Sequence, residues 1–288
     1  MRPSVSRLLL LACLLLSACA TPTGRVTCDT SSVPRADYVG PYRGVENLVA
    51  PEDMARDFAC SNAVKARLFP HGAITVFGSS RIVEDNPACD SAGRNCDAQL
   101  KQLNDSTYAD VRRFARLWSA QHGRDWPILT GAGPGLMEAA NRGASEAGAP
   151  SIGYTTYYDR AAQPSRERPY GGDASQALNR YVDHGLVFTS VVAREAAMIE
   201  HAAAIVIAPG GTGTEWETYQ VIETVKSRQV LPVPVYLLGG PAHWASLRAR
   251  LDDLARRRVI RSEELAFLRF VATPEELLDA LRSDLRLP

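Results

Sequence analysis

Short apolar runs alternate with longer amphipathic stretches along most of the chain. The runs predict strands at Ala73–Phe77, Pro127–Thr130, Ser151–Tyr154, Gly185–Phe188, Ala204–Ala208, Val233–Leu237 and Phe267–Val271. Strands that are apolar at nearly every position are typical of parallel sheets covered on both faces. The pattern therefore indicates strands at the centre of the molecule.

Helical spacing separates these strands. Apolar residues recur at intervals of three and four in stretches that predict helices at Pro51–Phe69, at Tyr108–Gln121, after Gly135 as far as Glu146, and at Pro274–Leu285. Strands joined by such helices form a parallel sheet with right-handed crossovers. We therefore predict a single α/β domain over residues 51–288, a doubly wound, Rossmann-like parallel sheet, with insertions at 84–103 and 155–179.

The N-terminus predicts export. Arginines precede the apolar run Leu8–Leu16, whose nine residues fall short of the ~20 that cross a bilayer. Small residues follow the run, as in a secretory signal peptide. Leu16-Ser17-Ala18-Cys19 also resembles the bacterial lipobox, which implies removal of residues 1–18 and lipidation of Cys19. Ordinary cleavage near Ala20, giving a soluble periplasmic protein, is the alternative.

Residues 19–50 are rich in Thr, Pro, Gly and Ser without clear periodicity, and we predict a tether from the lipid to the domain. The expected location is the bacterial cell envelope. Ala20, rather than Asp, after Cys19 favours the outer membrane, with the domain on the periplasmic side.

Charge and lysine content exclude two classes of protein. Basic and acidic side chains balance at 32 each, so no strong positive field points to a nucleic-acid polymer as partner. The lysines are Lys65, Lys101 and Lys226, none at a glycine-rich strand end. A pyridoxal enzyme needs a Schiff-base lysine beside its cofactor, so that chemistry is excluded.

Four cysteines of the exported chain suggest disulfides. An even number of thiols in an oxidising compartment favours pairing. Cys89 and Cys96 bracket a short polar loop, and joining them leaves Cys28 to pair with Cys60. Free buried thiols are the alternative, and a zinc site is the weaker interpretation because no His lies at ligand spacing.

The clearest candidate site is the run from Ala208 to Glu217, which follows a predicted strand and opens a helix. Glycines let the backbone approach an anion, and the N–H groups of a helix start point toward it. The candidate phosphate-binding residues are Gly210, Gly211, Thr212, Gly213 and Thr214. The alternative is a strand-to-helix turn that needs glycine for geometry alone.

Two further strand ends carry weaker signals. Gly131 to Gly135 reads G-x-G-x-G, but Leu136 stands where the dinucleotide fingerprint needs glycine. Ser79 follows the strand Ala73–Phe77. We take Ser79, Gly133 and Gly135 as candidate substrate-binding residues, with ordinary turn chemistry as the alternative.

Taken together, these motifs resemble the Lonely Guy family, once labelled lysine decarboxylases. Pro209-Gly210-Gly211-x-Gly213-Thr214-x-x-Glu217 matches the PGGxGTxxE signature of that family. Other matching stretches, in chain order, are Val76–Arg81, Thr130–Ala144, and Arg194 with Met198. The similarity covers about residues 60–285.

The resemblance implies a phosphoribohydrolase without a cofactor or metal, which cleaves a nucleoside 5′-monophosphate such as AMP or a cytokinin riboside monophosphate. Arg194 and Glu217 occupy the family's catalytic positions, and a homodimer is implied as well. A carboxylate near the anomeric carbon suits the positive charge that develops when a glycosidic bond breaks. Glu195 and Trp216 depart from the family pattern. The alternative is an envelope lipoprotein that binds a nucleotide or sugar phosphate without cleaving it.

Overall fold

The structure is a computed structural model, and it describes residues 28, 35–41, 49–85, 88–89, 93–156 and 178–287. One sheet of eight parallel strands runs through it. The strands are β1 (Ala36–Val39), β2 (Ala73–Phe77), β3 (Ile128–Thr130), β4 (Ser151–Thr156), β5 (His184–Phe188), β6 (Ala202–Ile207), β7 (Val235–Leu238) and β8 (Leu268–Val271). The order across the sheet is β1-β5-β4-β3-β2-β6-β7-β8, which confirms the predicted doubly wound, Rossmann-like architecture.

Seven α-helices in the described residues connect the strands. They are α1 (Pro51–Leu68), α2 (Ala98–His122), α3 (Leu136–Glu146), α4 (Val191–Glu200), α5 (Thr212–Lys226), α6 (Ala245–Arg256) and α7 (Pro274–Asp284), with a 3₁₀ turn at Ser262–Leu265. None of these helices is both long and apolar enough to cross a membrane.

Two apolar layers cover the sheet. Helices α1, α4, α5 and α6 pack on one face, where Met198, Val221 and Leu247 are buried against the strands. Helices α2, α3 and α7 pack on the other face through residues such as Phe114, Ala140 and Leu277. Burial on both faces explains why the central strands are apolar at nearly every position.

Strand β1 corrects the predicted tether. It lies inside residues 19–50, yet it pairs with β5 at the edge of the sheet, with Val39 opposite Val187. The hydroxyl of Tyr38 donates to Asp57 of α1 and fastens the strand to the domain. A four-residue edge strand, with two consecutive buried positions after two half-buried ones, is too short to give a clear period. The predicted signal peptide 1–18 and Cys19 lie outside the described residues.

The start of α2 also differs from the prediction. The helix begins at Ala98 rather than Tyr108, so its first turns lie within the predicted insertion 84–103. Asp97 caps it by accepting from the N–H groups of Gln99 and Leu100. A cap of this kind stabilises turns that carry little apolar signal.

Both predicted disulfides are present. Cys89 joins Cys96 just before α2, and Cys28 joins Cys60 within α1. The second predicted insertion, 155–179, is described only at its ends. Thr155 and Thr156 continue β4, two residues beyond its predicted end, and residues 157–177 lie outside the described part of the chain.

Candidate functional site

The candidate site lies where the strand order changes direction. Strand β2 leads to a helix on one face of the sheet and its neighbour β6 leads to a helix on the other, so their following loops diverge. In doubly wound sheets, ligands bind in the crevice at such a switch point. The N–H of Ser79 donates to the carbonyl of Pro209 at 3.1 Å and joins the two loops.

The loop after β6 forms an open helix start. Gly211 is the N-cap of α5, and no side chain caps the helix. A Cβ at Gly210 would lie 2.1 Å from the Thr214 hydroxyl, so glycine is needed there. Gly211 and Gly213 face open space, and Thr212 is exposed. The uncapped N–H groups of the first turn, with the helix dipole, suit an anion.

Arg194 and Glu217 meet beside this helix start. Arg194 is at the end of the first turn of α4. Ser190 caps this helix by accepting from the N–H of Val192. Glu217 lies one turn into α5, behind Thr214. Nη2 of Arg194 donates to Oε1 of Glu217 at 3.4 Å. The Arg194 side chain is 5% exposed and the Glu217 side chain 14%. The structure therefore brings together the two residues predicted to be catalytic.

Burial changes the acidity of Glu217. Loss of hydration raises the pKa of this carboxyl to about 7, although the nearby Arg194 charge acts in the opposite direction. Desolvation disfavours the ionised form of an acid, which is why burial outweighs one ion pair here. A carboxyl that titrates near neutral pH can both donate and accept a proton.

Glu195 is a second buried acid at the same arginine. Its side chain is fully buried and contacts Nη2 of Arg194. Within the described residues, neither carboxylate oxygen of Glu195 has a hydrogen-bond partner. The Arg194 guanidinium therefore faces two carboxyl groups, one of them on its own helix.

The second glycine loop lies against Arg194. A Cβ at Gly131 would approach Nη1 of Arg194 to 3.1 Å and the Met137 sulfur to 2.8 Å. Gly133 packs on the methyl end of Met137. Gly131 is thus a glycine of this loop that lies against a candidate catalytic side chain, whereas the substrate-binding role of Gly133 stays a prediction.

Gly135 and Ser79 join the loop to the crevice through the backbone. Gly135 has φ of +71° and packs against Ser79. A Cβ at Gly135 would lie 2.4 Å from the carbonyl oxygen of Ser79. That oxygen accepts from the N–H of Leu136 at 2.9 Å. The Ser79 hydroxyl accepts from the N–H of Arg81, within its own turn.

A buried polar network supports the loop, and sequence reasoning missed it. Ala132 is fully buried with φ of +61°, and its N–H donates to the Thr130 hydroxyl. Asn141 accepts from that hydroxyl and from the side chain of Asn179, which also donates to the Gly133 carbonyl. Asn141 lies in a stretch that matches the family and could have been assigned, whereas nothing in the sequence marks Asn179.

Each of the three lysines has a partner of its own. Lys65 donates to the carbonyl of Pro70, Lys101 pairs with Asp105, and Lys226 pairs with Glu223. None of these partners belongs to the glycine loops after β3 and β6. In the part of the chain that the structure describes, no group of three His, Cys, Asp or Glu is placed to hold a metal ion.

Comparison with known proteins gives one family match and several similar folds. A family model described as "Possible lysine decarboxylase" matches residues 137–281. The Moco carrier protein from Chlamydomonas reinhardtii is 20% identical with a TM-score of 0.48, over 75% of this chain and 98% of that one. The molybdenum cofactor binding protein from Rippkaea orientalis is 19% identical with a TM-score of 0.47, over 74% and 97%. No curated protein matches.

The family model covers one side of the candidate site and not the other. Residues 137–281 contain Arg194, Glu217 and the whole loop after β6, but they begin after Ser79 and Gly135. The helix start and the buried pair therefore lie within the shared region, and the other side of the crevice lies before it.

Proposed function

Because the chain belongs to the Lonely Guy family, whose model is described as "Possible lysine decarboxylase", we propose that it is a nucleoside 5′-monophosphate phosphoribohydrolase. It hydrolyses the N-glycosidic bond of AMP or a cytokinin riboside monophosphate. The products are the free base and ribose 5-phosphate. No cofactor takes part in this proposal.

The buried pair of Arg194 and Glu217, one helical turn behind an uncapped helix start, carries the proposal. Phosphate binds the N–H groups of Gly211 to Thr214, where the helix dipole favours negative charge. The ribose then extends from the phosphate toward Glu217. Phosphate and carboxyl group thus contact opposite ends of one sugar.

Glu217 acts at the anomeric carbon. Breaking a glycosidic bond gives an oxocarbenium-like transition state, which a nearby carboxylate stabilises. A carboxyl with a pKa of about 7 can protonate the departing base and then accept a proton from the attacking water. Arg194 orients Glu217 with its planar guanidinium.

A product-release assay tests the proposal. The protein is incubated with a panel of nucleoside monophosphates, and free base and ribose 5-phosphate are measured. We expect release from at least one nucleotide, loss of release in Glu217→Gln, and retention of phosphate affinity in that variant. Glu223→Gln is the matched control, because Glu223 lies on the same helix with its side chain 65% exposed. Equal loss of binding in Glu217→Gln would contradict the catalytic role.

The Glu195 contact favours a second candidate. A carboxylate that neutralises Arg194 weakens its ability to assist a reaction, which suits a protein that binds a nucleotide or sugar phosphate without cleaving it. Calorimetry distinguishes the two candidates. Nucleotide binding with no product from any nucleotide in the panel supports the binding protein.

We also propose a lipid anchor at Cys19 and a location in the bacterial cell envelope, at the periplasmic side of the outer membrane. The lipobox resemblance supports both. Fatty-acid labelling tests the anchor, and we expect label in the natural chain and none in Cys19→Ala. Label retained in Cys19→Ala would contradict this proposal.

A homodimer is the remaining proposal. Val192 on α4 and Trp216 and Tyr219 on α5 are large apolar side chains that are 41–52% exposed. They lie on the two helices that carry Arg194 and Glu217, and a contiguous exposed patch formed by them would be typical of a contact surface. Light scattering tests the state, and we expect Trp216→Glu to shift a dimer to monomer. A monomer in the unaltered protein would overturn this proposal.

A further inference from the structure

Arg194, Glu195 and Glu217 form a buried cluster with one positive group and two acids. Arg194 and Glu195 are adjacent on α4, and Glu217 approaches from α5. The side chains are 5%, 0% and 14% exposed. A guanidinium is always charged. With both carboxyl groups ionised the cluster would carry one uncompensated negative charge, which a buried site disfavours because the charge has lost its hydration.

The contacts indicate which acid keeps the positive partner. Glu195 is fully enclosed and touches Arg194 directly, and among described residues its carboxylate has no hydrogen-bond donor to replace that contact. Glu217 is the more exposed acid, and its contact with Arg194 is long, at 3.4 Å. An ionised Glu195 without Arg194 would be isolated in the interior.

We propose that Glu195 is a positioning residue that holds the charge of Arg194 and so leaves Glu217 as the proton donor to the departing base. The inference rests on the proposed function. It assigns a role to a residue that departs from the family pattern, where a basic residue commonly follows the arginine.

The reaction balances with water as the only co-reactant. The Glu217 carboxyl gives its proton to a ring nitrogen of the base, and the C1′–N bond breaks with its electron pair going to the base. Water adds its oxygen to C1′ and returns a proton to Glu217. Ribose 5-phosphate and free base leave, and the carboxyl group is again protonated.

Few other charges face Glu217. Helix α4 contributes Arg194 and Glu195, the loop after β3 contributes the Gly131 backbone next to Arg194, and α3 contributes the thioether of Met137. On its own helix the nearest titratable groups in sequence are Glu215 and Tyr219, both exposed. His243, before α6, interacts with Glu215.

Glu195→Gln tests the role through a pH profile. Without the second acid, Arg194 pairs with Glu217 alone, and an opposite charge this close lowers a carboxyl pKa by about 1–3 units. We expect the high-pH limb of kcat to move down by at least about one unit, with at least about a fivefold loss of turnover at pH 7. Glu200→Gln is the matched control, because Glu200 is exposed at the end of the same helix, and it should leave the profile unchanged.

Infrared titration of the protein with ¹³C-labelled glutamate tests the same role without substrate. We expect a protonated carboxyl band that titrates near neutral pH, disappears in Glu217→Gln and moves to lower pH in Glu195→Gln. A band that persists in Glu217→Gln would place the proton on Glu195 and overturn the proposal, and this comparison does not need Glu195→Gln to fold.

The two failures are distinguishable. If nucleotides are cleaved and Glu195→Gln keeps the original pH profile, the positioning role is wrong and the proposed function stands. If no nucleotide is cleaved, the proposed function fails, and the infrared titration alone decides whether Glu195 or Glu217 holds the proton.

Discussion

Asp57 accepts two hydrogen bonds from Thr189, one from its N–H at 2.8 Å and one from its hydroxyl at 3.1 Å. Thr189 lies directly before the cap of α4, and Asp57 also accepts from the hydroxyl of Tyr38 in β1. One buried carboxyl group thus links the N-terminal edge strand to the start of the helix that carries Arg194. The edge of the sheet and the candidate site share this support.

This carboxyl group should make stability depend on pH. Burial raises the pKa of Asp57 to about 6, although hydrogen bonds from Tyr38 and Thr189 lower it. The unfolded value is about 3.9, so the folded protein binds the proton more tightly. The free energy of unfolding should therefore fall as the pH rises from about 4 to about 6, by up to about 3 kcal/mol from this group.

Asp57→Asn should flatten that dependence, as measured by urea unfolding at each pH. Asp252→Asn is the control, because Asp252 is exposed on α6. An equal slope in the unaltered protein and in Asp57→Asn would show that Asp57 does not have a raised pKa.

The glycines of the α5 start should differ in their tolerance of alanine. Gly210→Ala places a methyl group 2.1 Å from the Thr214 hydroxyl, whereas nothing lies within 4 Å of a Cβ at Gly213. Overpacking of this kind costs about 1–3 kcal/mol. Thermal unfolding should show the loss for Gly210→Ala and none for Gly213→Ala. Phosphate affinity, measured by calorimetry, should fall in Gly210→Ala; equal stability of the two variants would count against a closely packed turn.

The polar network under the second glycine loop should be needed for both stability and turnover. Asn141 donates to the Ser151 hydroxyl and the Ile152 carbonyl, and it accepts from Thr130 and Asn179. Asn141→Asp removes both donated hydrogen bonds, and each buried group left without its partner costs about 1–3 kcal/mol. Chemical unfolding and product release should both show a loss. Asn104→Asp, on α2, serves as the control; normal turnover in Asn141→Asp would separate the network from the site.

The two disulfides should contribute unequally. Cys28–Cys60 closes a separation of 32 residues and Cys89–Cys96 one of 7. In the chain-entropy treatment, a cross-link stabilises in proportion to the logarithm of loop length. Replacing Cys28 and Cys60 by serine should lower the free energy of unfolding by about 1 kcal/mol more than replacing Cys89 and Cys96. Urea unfolding of the two double variants measures the difference, and the reverse order would contradict the prediction.

Most of the fold could be predicted from the pattern of apolar residues along the chain. The predicted bounds of β2 match the structure, because a strand buried on both faces is a continuous apolar run. The bounds of α1 differ by one residue, because an amphipathic helix leaves a periodic signal. Strand β1 and the first turns of α2 left little signal. Tyr38 is tied to the domain by a hydrogen bond to Asp57, which is distant along the chain, and α2 is started by a cap at Asp97.

For the site, sequence reasoning found the pair but not its surroundings. Arg194 and Glu217 are 3.4 Å apart, as their shared role in the family suggests. The contact of Glu195 with Arg194 and the hydrogen bonds of Asn179 depend on how distant segments pack. No spacing rule along one chain encodes such contacts.

The Cys28–Cys60 bond limits how far the domain could stand from a membrane. Cys28 is nine positions after Cys19, and Cys60 fixes Cys28 to α1. At about 3.3–3.6 Å per extended residue, that segment reaches at most about 30 Å. A lipid on Cys19 would therefore confine α1 to roughly one bilayer thickness from the membrane surface. Without the disulfide, the chain would first be held to the domain at β1, so the segment between lipid and domain would be longer by the residues from Cys28 to Ala36.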